Sequence, residues 1–219
     1  MIKPIFGLAK ASGASEPKSL AAAYGNWSGI RSNHVITQSG EFFGSDGSSR
    51  SISTKEDREL LIEIRSQSDL IVVDAATARF EKYRTPSSGA SLAIFSLSGN
   101  FEDIPVVEDQ EAPVFLFSAS ADRINREDSK NVHVQIPGKP FDGFLTWANS
   151  NEFKSILLEA GPTLTALAFE AGIVRQSAVT RSPITSSDTP ETQHNPFDKD
   201  AVLVSFAQSE DASFSLWTH

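Results

Sequence analysis

The sequence predicts an α/β protein with a mixed, mostly parallel central sheet, an antiparallel C-terminal part and flanking helices. Three observations predict it. Short continuous apolar runs such as Leu70-Ile71-Val72-Val73 and Ile156-Leu157-Leu158 suit strands covered on both faces. Such runs alternate with helical patterns, as a parallel sheet with crossover helices requires. The last fifth of the chain then carries strand-like segments at 175–180, 201–207 and 213–217 with no helical pattern between them, so the sheet should close with antiparallel pieces.

Taken in order, residues 1–29 are rich in Gly, Ser, Ala and Pro and read as an extension laid over a single domain at 30–219, with a short helix around 19–24. A strand is expected over 31–37. The loop that follows contains Gly40, Gly44 and Gly47 and has the length of a ligand-facing loop. Ser53 precedes Glu56 at capping-box spacing, and Leu60, Leu61 and Ile64 give the next helix its apolar stripe. The strand at 70–73 ends in Asp74-Ala75-Ala76-Thr77, followed by a basic cluster from Ala78 to Arg84. Strands follow at 92–97, 114–118 and 132–136, and the acidic stretch 102–111 reads as a solvated loop. A helix over 144–151 leads to the most compact unit of the chain, a strand at 156–158, a turn at Glu159-Ala160-Gly161 and a helix from Pro162 or Thr163. On that helix Leu164, Leu167 and Ala168 share a face, and Gly172 stops it. The polar segment 182–199 reads as a mobile loop between two tail strands. No internal repeat is present.

Composition narrows the function classes. A chain of 219 residues can bury one sizeable core. It contains no cysteine, which removes disulfides, thiolate metal sites and a cysteine nucleophile. A formal net charge of −9 argues against a nucleic-acid or anionic-membrane surface as the main partner. No apolar run reaches membrane-spanning length, and the N-terminal apolar stretch is short for a signal sequence. The expectation is a soluble, cytoplasmic protein without a bound metal.

Common catalytic signatures are missing. Gly89-Ala90-Ser91-Leu92-Ala93 lacks the closing glycine of a nucleophile elbow, no glycine loop carries a following Lys-Ser or Lys-Thr, and the four His residues lie far apart. His34 reads as a hydrogen-bonded strand residue. What remains is two strand ends opening into turns, at Asp74–Thr77 and Glu159–Pro162, together with the glycine-bearing loop after the first strand. Free amides at such helix starts favour a phosphate or another anion, and the carboxyl ends of parallel strands are where α/β folds bind ligands.

These residues resemble a family. Thr37-Gln38-Ser39-Gly40, Asp46-Gly47-Ser48-Ser49-Arg50-Ser51-Ile52-Ser53, Asp57-Arg58, Ile64-Arg65, Ala75-Ala76-Thr77-Ala78-Arg79-Phe80-Glu81-Lys82-Tyr83 and Leu158-Glu159-Ala160-Gly161-Pro162-Thr163-Leu164 occur in the order seen in pyrimidine reductases of riboflavin biosynthesis. Those reductases are of the RibD C-terminal domain type, with a three-layer, dihydrofolate reductase-like fold. The resemblance implies NADPH-dependent reduction of a phosphoribosylamino-pyrimidine, converting ribosyl to ribityl by hydride delivery to the first carbon of the sugar. It places the cofactor against Asp74, Ala75, Ala76, Thr77, Arg79, Ala160, Gly161, Pro162, Thr163 and Leu164, and the phosphorylated substrate against Thr37, Gly40, Ser49, Ser51, Ser53 and Arg84. Ser39 and Glu159 take the catalytic positions. It further implies a homodimer, to which an aromatic tail strand with Phe214 and Trp217 would contribute.

The chain also departs from that family. Ser39 stands where the family's SLDG pattern has a carboxylate, and a hydroxyl cannot replace it as a proton donor near neutral pH. Asp74-Ala75-Ala76-Thr77 replaces GAGT, and Glu159-Ala160-Gly161-Pro162 replaces EGGP, so that a carboxylate and methyl groups enter where backbone should meet a ligand. A carboxylate about 5 Å from a cofactor phosphate costs roughly 3 kcal/mol at an effective dielectric near 20 unless something offsets it. An acid lying across the space between the two bends would take away the basis of the reductase reading and leave the architecture. The alternative is a non-catalytic or altered-ligand homologue that keeps the fold as a binding or assembly module.

Overall fold

The computed structural model describes residues 1–109, 111–119, 130–184 and 200–219. Most of the expected polar loop, from 185 to 199, therefore lies outside the described residues. The chain divides into two compact units, one formed by Met1–Gln67 with Val174–His219 and the other by Ser68–Ile173.

In the first unit the strands are β1 (Lys3–Phe6), β2 (Gly29–Ile36), β8 (Val174–Arg181), β9 (Val202–Gln208) and β10 (Ser213–Thr218), in the order β1-β9-β10-β8-β2. The three tail strands pair antiparallel, as their missing helices predict, and β8 runs parallel to β2. Phe214 and Leu216 are fully buried and alternate with partly exposed Ser213, Ser215 and Trp217, the period of a strand with one covered face. Strand β10 lies between β9 and β8, so Phe214 is spent on the core and is not available to a subunit interface. Residues 1–29 do more than lie over the domain. They add β1 to β9 as an antiparallel strand and form α1 (Gly7–Ser12) and α2 (Pro17–Tyr24), with Ile2, Ala9, Leu20 and Ala21 buried.

Buried Arg31 on β2 ties that segment down. Its Nε and Nη2 donate to Gln176 Oε1 at 2.9 and 2.6 Å, Nη2 also donates to the carbonyls of Tyr24 and Gly25, and its guanidinium lies 4.0 Å from the Trp27 ring centre. Burial lowers its pKa to about 10, and the same burial raises the Tyr24 phenol. Helix α3 (Lys55–Arg65) is capped one residue later than its sequence spacing implies: Thr54, not Ser53, accepts from the Asp57 amide. Ser53 instead donates to the Asp57 carboxylate at 2.6 Å, and Asp57 is buried on the helix together with Leu60 and Ile64.

In the second unit the strands are β3 (Leu70–Asp74), β4 (Ser91–Phe95), β5 (Val114–Ser118), β6 (Val132–Gln135) and β7 (Ser155–Leu158), ordered β7-β3-β4-β5-β6 and parallel throughout. Four successive buried residues in β3 and three in β7 match their apolar runs. The helices are α4 (Ala75–Phe80), α5 (Pro105–Asp109), α6 (Phe144–Ser150) and α7 (Pro162–Glu170). Helix α5 corrects the reading of 102–111 as loop only: Pro105 opens a single turn whose Val106 is buried. Phe95 and Phe117 stack at 4.6 Å, and α6 packs Phe144 and Trp147 edge-on against Phe117.

Candidate functional site

Two neighbouring parallel strands position the turns that the sequence singles out. Val72 pairs with Leu158, and the Glu159 amide donates to the Val72 carbonyl at 2.8 Å, so β3 and β7 end side by side. Asp74 then caps α4: its Oδ1 accepts the Thr77 amide and its Oδ2 the Thr77 hydroxyl, both at 2.8 Å. Helix α7 begins with Gly161 at the cap position and Pro162 in the first turn, and Gly161 has no side chain to cap it. The amide of the cap residue itself finds its acceptor in the other turn. Asp74 Oδ2 receives the Gly161 amide at 2.6 Å, so one carboxylate lies across the space between the two bends and serves both helix starts.

The other cofactor-side residues follow from this arrangement. Ala75, Ala160, Gly161 and Leu164 are buried, whereas Ala76 and Thr163 are exposed and Thr77 and Pro162 are partly so. Ala160 is only 2 % exposed, and its carbonyl accepts the Thr165 hydroxyl at 2.9 Å, so its methyl is packed inward rather than presented at the surface. Arg79 donates to the carbonyls of Glu102, Ala75 and Asn100, and Arg84 pairs with the Asp109 carboxylate. Both arginines, expected to serve phosphates, are engaged within the unit. Glu159 is buried at the end of β7, and Tyr83 donates its phenol to Glu159 Oε2 at 2.8 Å. Tyr83 carries no catalytic spacing in the sequence, and only the fold brings it to Glu159.

The first unit holds the substrate-side residues in short local bonds. Thr37 and Glu41 close the loop with reciprocal contacts, the Thr37 amide donating to the Glu41 carbonyl at 2.9 Å and the Glu41 amide to Thr37 Oγ1 at 3.0 Å. Gly40 sits inside this turn at φ 95°, which a side chain would strain. The Ser39 hydroxyl is 3.1 Å from Glu41 Oε2 and 3.1 Å from Thr37 Oγ1, and Thr37 Oγ1 lies 3.2 Å from the same carboxylate oxygen. A carboxylate therefore belongs to this loop after all. It is Glu41, two residues beyond the position the SLDG pattern names. Arg181, at the end of β8, donates to the Gln38 carbonyl at 2.9 Å and holds the turn from the neighbouring strand.

Beyond it, Asp46 Oδ1 accepts from the Ser48 amide at 2.9 Å and the Ser51 hydroxyl at 2.6 Å, which holds the Asp46 carboxyl below the usual carboxylate range. Ser49 anchors the turn through its carbonyl, which accepts the Ser53 amide at 3.0 Å, and the Ser53 hydroxyl is spent on Asp57. Burial raises the Asp57 carboxyl above its ordinary range, opposed by the Ser53 and Thr180 hydroxyls and by Arg58.

Among the described residues no group of three or more His, Asp or Glu is placed to hold a metal ion, and no helix is long and apolar enough to cross a membrane. A cavity of about 420 Å³ in the second unit is lined by Lys139, Phe141, Asp142, Leu145, Leu167 and Glu170, none of which belongs to either turn.

Residues 30–209 match the model of the RibD C-terminal domain. No curated protein matches the chain by sequence. Among solved structures, a pyrimidine reductase-like protein from Corynebacterium diphtheriae is 19% identical with a TM-score of 0.70, over 98% of both chains. A diaminohydroxyphosphoribosylaminopyrimidine deaminase/5-amino-6-(5-phosphoribosylamino)uracil reductase from Thermotoga maritima is 14% identical with a TM-score of 0.72, over 92% of this chain and 59% of that one. The dihydrofolate reductase of Enterococcus faecalis, complexed with NADP(H), is 8% identical with a TM-score of 0.55, over 88% of this chain and 97% of that one. At these identities the likeness is one of fold, and that fold is dihydrofolate reductase-like.

Proposed function

The chain belongs to the RibD C-terminal domain family, and from that premise we propose that it is an NADPH-dependent reductase of a phosphorylated, ribosylamino-bearing pyrimidine. The single observation that carries the reading is the Thr37–Ser39–Glu41 constellation, because it keeps a carboxylate within hydrogen-bond reach of two hydroxyls in the loop assigned to the substrate. Exposed Ser39 would hydrogen-bond a sugar hydroxyl, while Thr37, fully buried beneath it, would hold Ser39 and Glu41 in place. Glu41, through Ser39, would hold or release the proton that reduction of the sugar carbon requires. Tyr83 would fix the carboxylate of Glu159 at the end of β7.

The fit to NADPH turns on Asp74, which lies across the space between the two bends, the arrangement that counts against the reductase reading unless the side chain is displaced. The amides at Thr77 and Gly161 are the right kind of donor for a diphosphate, yet Asp74 already receives both. Release of those amides requires the Asp74 side chain to leave its present rotamer and give up its bonds to Thr77 and Gly161. With Asp74 turned away, Thr77 and Gly161 would hold the diphosphate, flanked by exposed Ala76 and Thr163. Bound there, the cofactor supplies the hydride and the protein supplies orientation and charge. We further propose a cytoplasmic homodimer, on the family resemblance.

The test is NADPH oxidation by the purified protein in the presence of 5-amino-6-(5-phosphoribosylamino)uracil. Glu41→Gln is expected to lower kcat about a hundredfold or more. The reading fails if neither the wild type nor Asp74→Gly oxidises NADPH with that substrate. A second reading is favoured by the Asp74–Gly161 contact itself: a homologue that keeps the fold for binding or assembly, its cofactor position closed by its own side chain. Binding of the pyrimidine with no response to NADPH, in wild type and Asp74→Gly alike, would select it.

A further inference from the structure

We propose that Asp74 is a specificity-determining residue, an internal anion that occupies the amides of the two turns and must be displaced before any ligand phosphate can take them. This rests on the reductase reading, because it assigns the diphosphate to those amides. Its grounds are geometric. Asp74 Oδ2 lies 2.6 Å from the Gly161 nitrogen, across 87 residues of chain, and Gly161 offers the nine-residue helix α7 no side-chain cap. The same side chain takes both donors of Thr77. The charge of the carboxylate and its position therefore oppose a phosphate together: one repels it and the other denies it a donor. Arg84 is paired with Asp109, and Arg79, whose guanidinium keeps its charge, has donors directed at three backbone carbonyls. A ligand without a phosphate at this point meets no such competition. Asp74 thus ranks ligands by whether they bring an anion to the start of α7.

Calorimetric titration of the full chain separates the possibilities. Wild type, Asp74→Asn and Asp74→Gly are each titrated with NADPH, with inorganic pyrophosphate and with dihydronicotinamide riboside, which has no phosphate. Asn keeps one acceptor oxygen and removes the charge, Gly removes both, and thermal melts of each variant before titration establish that the protein titrated is folded. Expected is NADPH binding tighter by on the order of a hundredfold in Asp74→Gly, with a smaller gain in Asp74→Asn. The riboside is expected to bind all three proteins alike. Equal NADPH dissociation constants in wild type and both variants overturn the inference and leave the reductase reading standing. If none of the three binds NADPH at millimolar concentration, the reductase reading falls. Pyrophosphate then decides the inference by itself: binding to Asp74→Gly but not to wild type supports it, and binding to neither overturns it.

Discussion

The loop after β2 and the paired turns after β3 and β7 solve the same problem by different means. Each contains hydroxyls or amides with no regular secondary-structure partner, and each satisfies them with a carboxylate. After β2 the carboxylates are local: Glu41 serves Thr37 and Ser39, Asp46 serves Ser48 and Ser51, and Asp57 serves Ser53, all within five residues. At the paired turns the partners are distant, Asp74 with Gly161 across 87 residues and Tyr83 with Glu159 across 76. The first arrangement rests mainly on short-range geometry, with Arg181 and Thr180 of β8 adding support, whereas the Asp74–Gly161 and Tyr83–Glu159 bonds of the second exist only because two parallel strands end together. Loosening the sheet should therefore disturb the turns and spare the loop.

The largest effect is expected from Leu157→Ala. Leu157 is fully buried in β7 opposite Ile71, and the cavity left behind should cost about 2–5 kcal/mol in urea denaturation. Hydrogen exchange at the Gly161 amide should accelerate more than exchange at Glu41. Next comes Asp74→Ala, which uncaps α4 and leaves the Gly161 amide without its acceptor, at about 1–3 kcal/mol in the same measurement. Tyr83→Phe removes one hydrogen bond to a charged, buried group and should cost about 1–2 kcal/mol.

These expectations also mark what the sequence could disclose. The runs at 70–73, 114–118 and 156–158 announce buried strands because burial on both faces leaves a continuous apolar signature. The tail strands were readable for the opposite reason, as strand-like segments with no helix between them. Strand β1 has mostly exposed side chains and no alternation, so nothing in residues 3–6 distinguishes it from an overlying segment. The cap of α3 slipped by one residue because Ser53 and Thr54 are both competent caps, and only the position of Asp57 decides between them. Glu41 escaped notice because a motif read position by position looks for the carboxylate at 39, whereas the turn folds residue 41 back onto it. The Asp74–Gly161 contact could not be read at all. A carboxylate in a presumed phosphate site signals conflict, but not which amide it takes.

A smaller, pH-dependent effect sharpens the local half of the comparison. The Asp57 carboxyl titrates above its unfolded value, so its stabilising share is complete below that unfolded value and is lost as the pH rises through the folded one. The Tm of Asp57→Asn relative to wild type should therefore be more favourable at neutral pH than at acid pH, as read by thermal melts at both. The smallest effect belongs to Ser51→Ala, an exposed residue bonded to Asp46, which should change stability by no more than about 0.5 kcal/mol.

The account depends most on what happens at the start of α7 when nucleotide arrives. A crystal structure of the wild-type protein soaked in NADPH tests it directly. The prediction is diphosphate density on the Gly161 and Thr77 amides, with the Asp74 carboxylate rotated beyond hydrogen-bonding distance of both. Asp74 still bridging the two turns beside a bound diphosphate, or bridging them with no nucleotide density at all, would contradict it.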